Sequence, residues 1–274
     1  MLNIIKNTIN RVFASGVDSD ASAFIAATGL SGTTQKSTIT TLVKDLKSSG
    51  LWSKMKAVYP MVTDNKNVLS YTEDFSNAFW LNTNISITLN ASTAPNGTLT
   101  ANSLVPTTLN AFHFLSSPYN LTTTQNTITY SGYFKSNGYN YVSILVPNSN
   151  SLTKYFEGIF NLSTGVIENT GRAVNYTGTR SIENVGNGWY RCSITITNAD
   201  LNSTHGAWAV PISTNNPTSG YAGNGTSGIF SWGTQFEMGA LSTYQPILTT
   251  PAAFMASQMK YNLKDARDLD AAFR

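Results

Sequence analysis

The chain is poor in charge, cysteine and histidine, and each shortage closes off a class of function. Only 11% of its 274 residues are Asp, Glu, Lys or Arg, against about 25% in an ordinary soluble domain. Its polarity rests on amides and hydroxyls instead, a surface that suits a protein packed into an assembly or exposed outside a cell. The net charge of +3 comes without any run of Lys and Arg that would track phosphates, so nucleic acid is not an expected partner. One cysteine excludes an internal disulfide framework, and stability must come from packing. That cysteine, Cys192, shares a parity with Tyr190, Ile194 and Ile196, the placement of a buried core thiol. The two histidines, His113 and His205, lack the spacing of a metal pair, and no serine sits in a nucleophile elbow. Acidic residues are scattered. Glu157 with Glu168 or Glu237 would be the pair for glycoside hydrolysis, but nothing in the pattern selects it, and no enzyme is expected. No apolar run approaches the ~20 residues of a membrane span. The N-terminal stretch MLNIIKNTINRVF is interrupted by Lys6, Asn7, Thr8, Asn10 and Arg11, unlike a signal peptide, so neither secretion by the usual route nor membrane insertion is expected.

What is present is enough apolar material, 41% of residues, to fill a sizeable core. Residues 1–62 read as a helical anchoring or oligomerisation region. Asp18-Ser19-Asp20 caps a helix through Ala21–Thr28 that Gly29 stops. Thr33 or Thr34 opens a second, with Ile39, Leu42, Val43 and Leu46 on one stripe and Gly50 at its end. A short third helix is expected from Leu51 through Met55 to just before Pro60. Residues 63–249 read as strands and turns. Ile85, Ile87 and Leu89 alternate ahead of the turn Ala94-Pro95-Asn96-Gly97, and Ile128, Tyr130 and Phe134 share a parity. Tyr141–Val146 has the near-continuous apolar character of a central strand. Hairpin turns are expected at Ser163-Thr164-Gly165 and Asn187-Gly188, and a strand at Ala207–Ile212. Many short strands with regular turn signals and no helical pattern between them predict a mainly β fold, a two-sheet antiparallel sandwich. Residues 250–274 form a C-terminal tail, with Pro251 at a first helical position, a stripe of Phe254, Met255 and Met259, and a charged, solvated end.

Two stretches bracket the strand-rich segment, Asn67–Trp80 (NVLSYTEDFSNAFW) and Ile229–Pro246 (IFSWGTQFEMGALSTYQP), and read as opening and closing strands whose meeting seals the sandwich. In the second, Phe230, Trp232, Phe236 and Met238 fall on one parity, the pattern of a half-buried strand. The order N-x-L-x-Y-x-E-x-F, then Gly188-Trp189-Tyr190-Arg191, then S-G-I-F-x-W-G-x-Q-F-E resembles the jelly-roll, carbohydrate-binding-module-like domains of bacteriophage head-fibre and tail-fibre proteins, over roughly residues 67–247. Phe24–Met61 and Lys260–Arg274 are similar to flanking segments of phage structural proteins. In those proteins the second segment leads into a further, lectin-like sandwich, whereas here it is the end of the sequence. The resemblance implies a non-enzymatic virion protein, with the helices contacting other virion proteins, homotrimerisation as the default for such fibres, and a jelly roll displayed towards host-surface glycans. A purely structural capsid or connector role without glycan binding, or a free bacterial carbohydrate-binding module, are the alternatives.

Sugar sites pair aromatic faces with amides and carboxylates that bind hydroxyls. Tyr133, Tyr139, Tyr141, Tyr155 and Trp208 are the aromatic candidates, with Asn140, Asn148 and Lys135 as polar neighbours. Related binding modules hold a structural calcium near their terminal strands, and Glu73, Asp74 and Glu237 are the residues that would supply its oxygen ligands here.

Overall fold

The computed structural model describes residues 18–28, 33–53, 67–118, 121–148, 153–168, 171–214 and 220–248. The expected first helical turn, all but the start of the third helix and the tail helix lie outside them. The described residues form two units, a helical pair and a sandwich.

The helical pair is α1 (Ser19–Thr28) and α2 (Thr33–Ser48). Asp18 Oδ1 accepts a hydrogen bond from the Asp20 amide and caps α1. Gly50, at φ +70°, takes the left-handed conformation that ends α2. Ala21 packs on Ile39 and Val43, so the predicted stripe of α2 is its buried face. Lys47 bridges Asp18 and Asp20 at 2.7 Å each, tying the end of α2 to the start of α1. Its cation adds a hydrogen bond that, with the helix N-terminus, holds the Asp18 carboxyl below its usual range despite burial.

The sandwich has two antiparallel sheets. Sheet I runs in the order β12 (Gly178–Gly186), β13 (Trp189–Ile196), β7 (Ile128–Asn137), β17 (Gly228–Met238), β3 (Ala101–Pro106), β2 (Ile85–Ser92). Sheet II runs β1 (Leu81–Thr83), β5 (Phe114–Ser116), β15 (Trp208–Ile212), β8 (Tyr141–Pro147), β9 (Tyr155–Asn161), β10 (Val166–Glu168), with β11 (Ala173–Val174) also on β9. Two short ribbons, β14 (Thr204–His205) with β6 (Leu121–Thr122) and β16 (Tyr221–Ala222) with β4 (Asn110–Ala111), close the ends. The chain passes between the sheets from β7 to β8, β11 to β12 and β15 to β17, the winding of a jelly roll.

Strand parity decides what faces the core. Ile128, Tyr130 and Phe134 of β7 pair with Ile196, Ile194 and Tyr190 of β13, and all six face inward. Val142, Ile144 and Val146 of β8 meet them from sheet II, with Phe156 and Phe160 of β9. Cys192 is fully buried in this layer, and burial pushes its thiol well above the ordinary range, so it is an inert core residue. The predicted hairpins form as expected: Asn187 and Gly188 both have positive φ (53° and 77°), and Gly165 sits at +70°.

Two expectations fail. The opening stretch is not a strand. After a single bridge from Asn67 to Glu237 the chain turns, with Tyr71 at φ +51° and the Asp74 and Asn77 side chains accepting from the amides of Ser76 and Phe79. It still seals the fold, because Val68 and Thr72 donate to the carbonyls of Phe236 and Ile247. The closing stretch is a strand, but its apolar residues do not share a face. A bulge between Trp232 and Gln235 adds a residue, so Phe230 and Trp232 point out of the sandwich while Phe236 and Met238 point in.

Candidate functional site

The two outward faces of the sandwich are built differently. On the outer face of sheet I, Trp189, Trp232, Phe230 and Tyr133 form a second apolar cluster with Ala94, Ala101 and Tyr244. The chain's own segments cover it. The β2–β3 loop reaches over Trp189, whose Nε1 donates to the Thr93 carbonyl, and Trp232 Nε1 donates to Thr100 Oγ1. Residues 239–247 lie over the polar end. Arg191 Nη2 donates to the Ser242 carbonyl at 2.7 Å, the Ser242 amide and hydroxyl donate to Glu237, and the Gln245 amide donates to Gln235 Oε1. Thr129, Ser131, Gln235 and Glu237 are thereby buried on what would otherwise be a wet surface.

Several of the residues that carry the resemblance meet here. Asn67 Nδ2 donates to the carbonyls of Thr234 and Gln245, Trp189 and Arg191 come from β13, and Gln235 and Glu237 from β17. Their chemistry is that of a joint. Glu73 accepts from the Tyr244 hydroxyl at 3.1 Å; partial burial raises its carboxyl above the usual range against the opposing effect of that bond. Glu237 is saturated by Ser242 and Gln235, and Asp74 is bonded to Ser76. Among the described residues no three of His, Cys, Asp or Glu are grouped as metal ligands would be, and Glu73, Asp74 and Glu237 form no such group.

The aromatic candidates separate. Tyr133 belongs to the covered face, its ring against Trp232 and Tyr244 at 5.3 and 5.8 Å with the Arg191 guanidinium over it. Tyr139 is buried in the core beyond the end of β7, edge-on to Tyr221. Tyr141, Tyr155 and Trp208 share the outer face of sheet II. Their cross-strand partners fix this: Tyr141 opposes Asn161 and Ile212, Pro147 opposes Tyr155, and Leu145 opposes Trp208 and Glu157, all on the parity opposite to Val142, Ile144 and Val146. All three rings are half-buried. Of the polar neighbours, Asn140 accepts from Ser136 and Asn148 donates to Ser203. Lys135 is on the sheet I side, opposite Phe230.

The same face holds residues that strand periodicity did not single out. Phe114 of β5 stacks on Trp208, ring centroids 4.3 Å apart and 2° from parallel. Glu157, only 2% exposed, accepts from Ser143 Oγ at 2.7 Å and from Arg172 Nε at 2.8 Å. The Arg172 side chain is 43% exposed, lies over the Tyr155 ring, and is held fully protonated by this carboxylate. Glu168 shares the face, one strand over, and accepts from Asn161 Nδ2. Glu157 and Glu237 are on opposite outer faces, so they cannot flank one bond, and Glu157 with Glu168 is a clamped carboxylate beside a surface one.

Both histidines are spent on structure. The ring nitrogens of His113 lie 2.6 and 2.7 Å from the carbonyls of Asn84 and Tyr221. His205, fully buried, meets the Tyr176 hydroxyl at 2.8 Å, and burial lowers its pKa below the ordinary value.

Fold and faces together define, among the described residues, a mainly β protein, two large antiparallel sheets packed as a sandwich, with two short N-terminal helices. No protein-family model matches the chain, and no curated protein matches it as a relative.

Proposed function

We propose that this chain is a non-enzymatic structural protein of a tailed-phage virion, a head-fibre subunit first and a tail-fibre subunit second. Residues 1–62 anchor it to neighbouring virion proteins, and the sandwich projects outward, using the outer face of sheet II to adhere to glycans on the host surface. The observation that carries the adhesive part is the placement of Tyr141, Tyr155 and Trp208, from three neighbouring strands, on one outward face next to an oriented Glu157–Arg172 pair. Single-site binding to such a face is weak, and many copies on one particle convert it to avidity. The virion assignment rests on the motif resemblance.

A second reading, a capsid or connector subunit that binds no sugar, draws on Leu81 and Phe112, which are 48% and 58% exposed and are the kind of surface a neighbouring subunit would cover. A cryo-EM map of the virion separates the two. Helices gripping the particle with sheet II facing solvent support the appendage; a sandwich enclosed by neighbours overturns adhesion, and absence of the chain from the particle overturns both.

A further inference from the structure

Independently of that reading, we infer that the β12 edge of sheet I pairs with β12 of a second copy of this chain, antiparallel about a two-fold axis at Ile182. An unpaired edge strand presents a row of backbone N–H and C=O groups, and proteins ordinarily blunt it. Three of the four sheet edges among the described residues are blunted. β1 and β10 have three residues each and β11 has two, while β2 is broken by a register shift between Thr88 and Ser92, with Asn90 at φ +53°. β12 is not blunted: it runs for nine residues, stays in register with β13 from Gly178 to Asn184, and contains neither proline nor lysine. Thr197 donates to the Thr177 carbonyl, so the alternation of the ladder turns the N–H and C=O of Gly178, Arg180, Ile182 and Asn184 away from β13. No described residue bonds those backbone groups.

The second argument is self-complementarity. With the axis at Ile182, Arg180 comes opposite Asn184 of the second copy and Ile182 opposite its counterpart, so outward-turned residues meet one another as ladder bonds require. Ile182 is half-buried on the core side of β12, and its counterpart covers the part still exposed. The Arg180 guanidinium is held by the carbonyls of Glu157 and Gly171 and faces a neutral amide across the axis. On the outer face, Ser181 comes opposite Glu183 of the second copy, twice, in the closer non-hydrogen-bonded pairs. Both residues are exposed. Glu183 is the register partner of Arg191 but forms no ion pair with it, because Arg191 turns Nη2 onto the Ser242 carbonyl. Neighbouring registers fit worse. An axis at Glu183 sets glutamate against glutamate, one at Arg180 sets arginine against arginine, and one at Ser181 sets Arg180 against Ile182.

An interface one strand deep is at the small end of specific interfaces, and the association is correspondingly weak. The test is sedimentation equilibrium of the full chain from about 1 to about 500 µM, and the expected result is a monomer–dimer equilibrium within that range. Two substitutions at one exposed position then read the register. Ser181→Glu sets two glutamate pairs across the axis and should weaken the dimer by roughly three- to tenfold, whereas Ser181→Lys sets two lysine–glutamate pairs and should tighten it by a similar factor. Melting curves that match the parent's establish that both variants are folded. A monomer over the whole range overturns the inference, as does any oligomer indifferent to both substitutions. Weakening by both would put the axis at Ser181 and overturns it too. Each of these results leaves the proposed function standing.

Discussion

The outer faces of the two sheets carry similar side chains, aromatic rings with an arginine and a glutamate among them, yet the rings are buried to different degrees. On sheet I the rings of Trp189 and Trp232 and the groups of Arg191 and Glu237 are covered by the β2–β3 loop and residues 239–247. On sheet II the rings of Tyr141, Tyr155 and Trp208 are partly buried, the residues between them (Ser143, Leu145, Glu157, Ile159 and Ile212) are buried, and Arg172 reaches solvent. Aromatic and charged residues clasped by the chain's own backbone stabilise the fold, and the same residue types left partly exposed contribute less to it. The motif residues of the resemblance fall on the covered face of sheet I or, like Leu69, Phe75, Ile229 and Phe236, in the core, so they speak for the fold and its sealing rather than for any particular sugar.

Truncating matched tryptophans tests this division most directly. Trp189 is fully buried and hydrogen-bonded on the closed face, so Trp189→Ala is expected to cost about 3–5 kcal/mol of unfolding free energy. Trp208→Ala on the outer face of sheet II, where the ring is only partly buried, should cost clearly less. Urea denaturation of the two variants measures the contrast, and equal losses would erase the distinction between the faces. A step smaller is the carboxylate comparison. Glu237→Ala leaves the Ser242 amide and the Gln235 amide group without their buried acceptor, at a cost of about 3 kcal/mol. Adding Ser242→Ala to that variant should restore little, because the backbone amide still lacks its partner.

Much of this was legible from residue order. The two described helices, the alternation of Ile128, Tyr130 and Phe134, the central character of Tyr141–Val146 and the glycine turns all follow from local rules that the fold obeys. The failures have physical causes that local rules do not contain. A bulge at Gly233, where φ is +61°, flips the face of β17 halfway along, and periodicity counted across it assigns Phe230 and Phe236 to the same side. Asn67–Trp80 has strand-like residues, but Asx turns at Asp74 and Asn77 outcompete the ladder. For the site, aromatic type alone named Tyr133, Tyr139, Tyr141, Tyr155 and Trp208, yet whether a ring is covered depends on what later chain lies over it. That is why Tyr133 read the same as Tyr141. Phe114 sits in a strand of three residues, too short for a period, and Glu157 finds Arg172 only through the β9–β11 pairing.

The third prediction concerns acid. His205 is neutral and enclosed, facing the Tyr176 hydroxyl, with Asp200 and Lys154 beside it. Its folded pKa lies below the ordinary 6.5 because burial disfavours the cation. The unfolded chain therefore binds a proton first as pH falls, and stability present above 6.5 is lost as pH drops from there through the folded value. Denaturation midpoints of the parent and of His205→Gln, measured across that window, should converge on acidification. Parallel curves would mean that His205 contributes no pH dependence. The residue sits three positions before Trp208, so any acid loosening should also appear as reduced oligosaccharide binding, without an equal effect on Trp189 fluorescence in the closed face.

The smallest expected effect asks whether the core between the two faces is indifferent to both. Tyr130 points inward from β7, is 1% exposed, and its hydroxyl has no hydrogen-bond partner among the described residues. Burial drives its ionisation far above the usual range, so the group remains a neutral, unpaired dipole in an apolar layer. An unsatisfied buried hydroxyl costs about 1–3 kcal/mol, and Tyr130→Phe removes it with a small loss of volume. The two terms oppose each other, and the desolvation term is the larger. The variant should gain up to about 1 kcal/mol in urea denaturation with an unchanged m-value, and its oligosaccharide affinity should equal the parent's. A loss of stability would show that the hydroxyl is satisfied in solution, by a buried water between the sheets. A change in affinity at constant stability would show that the core transmits strain to the outer face of sheet II, and the contrast between the two faces would then be too sharp.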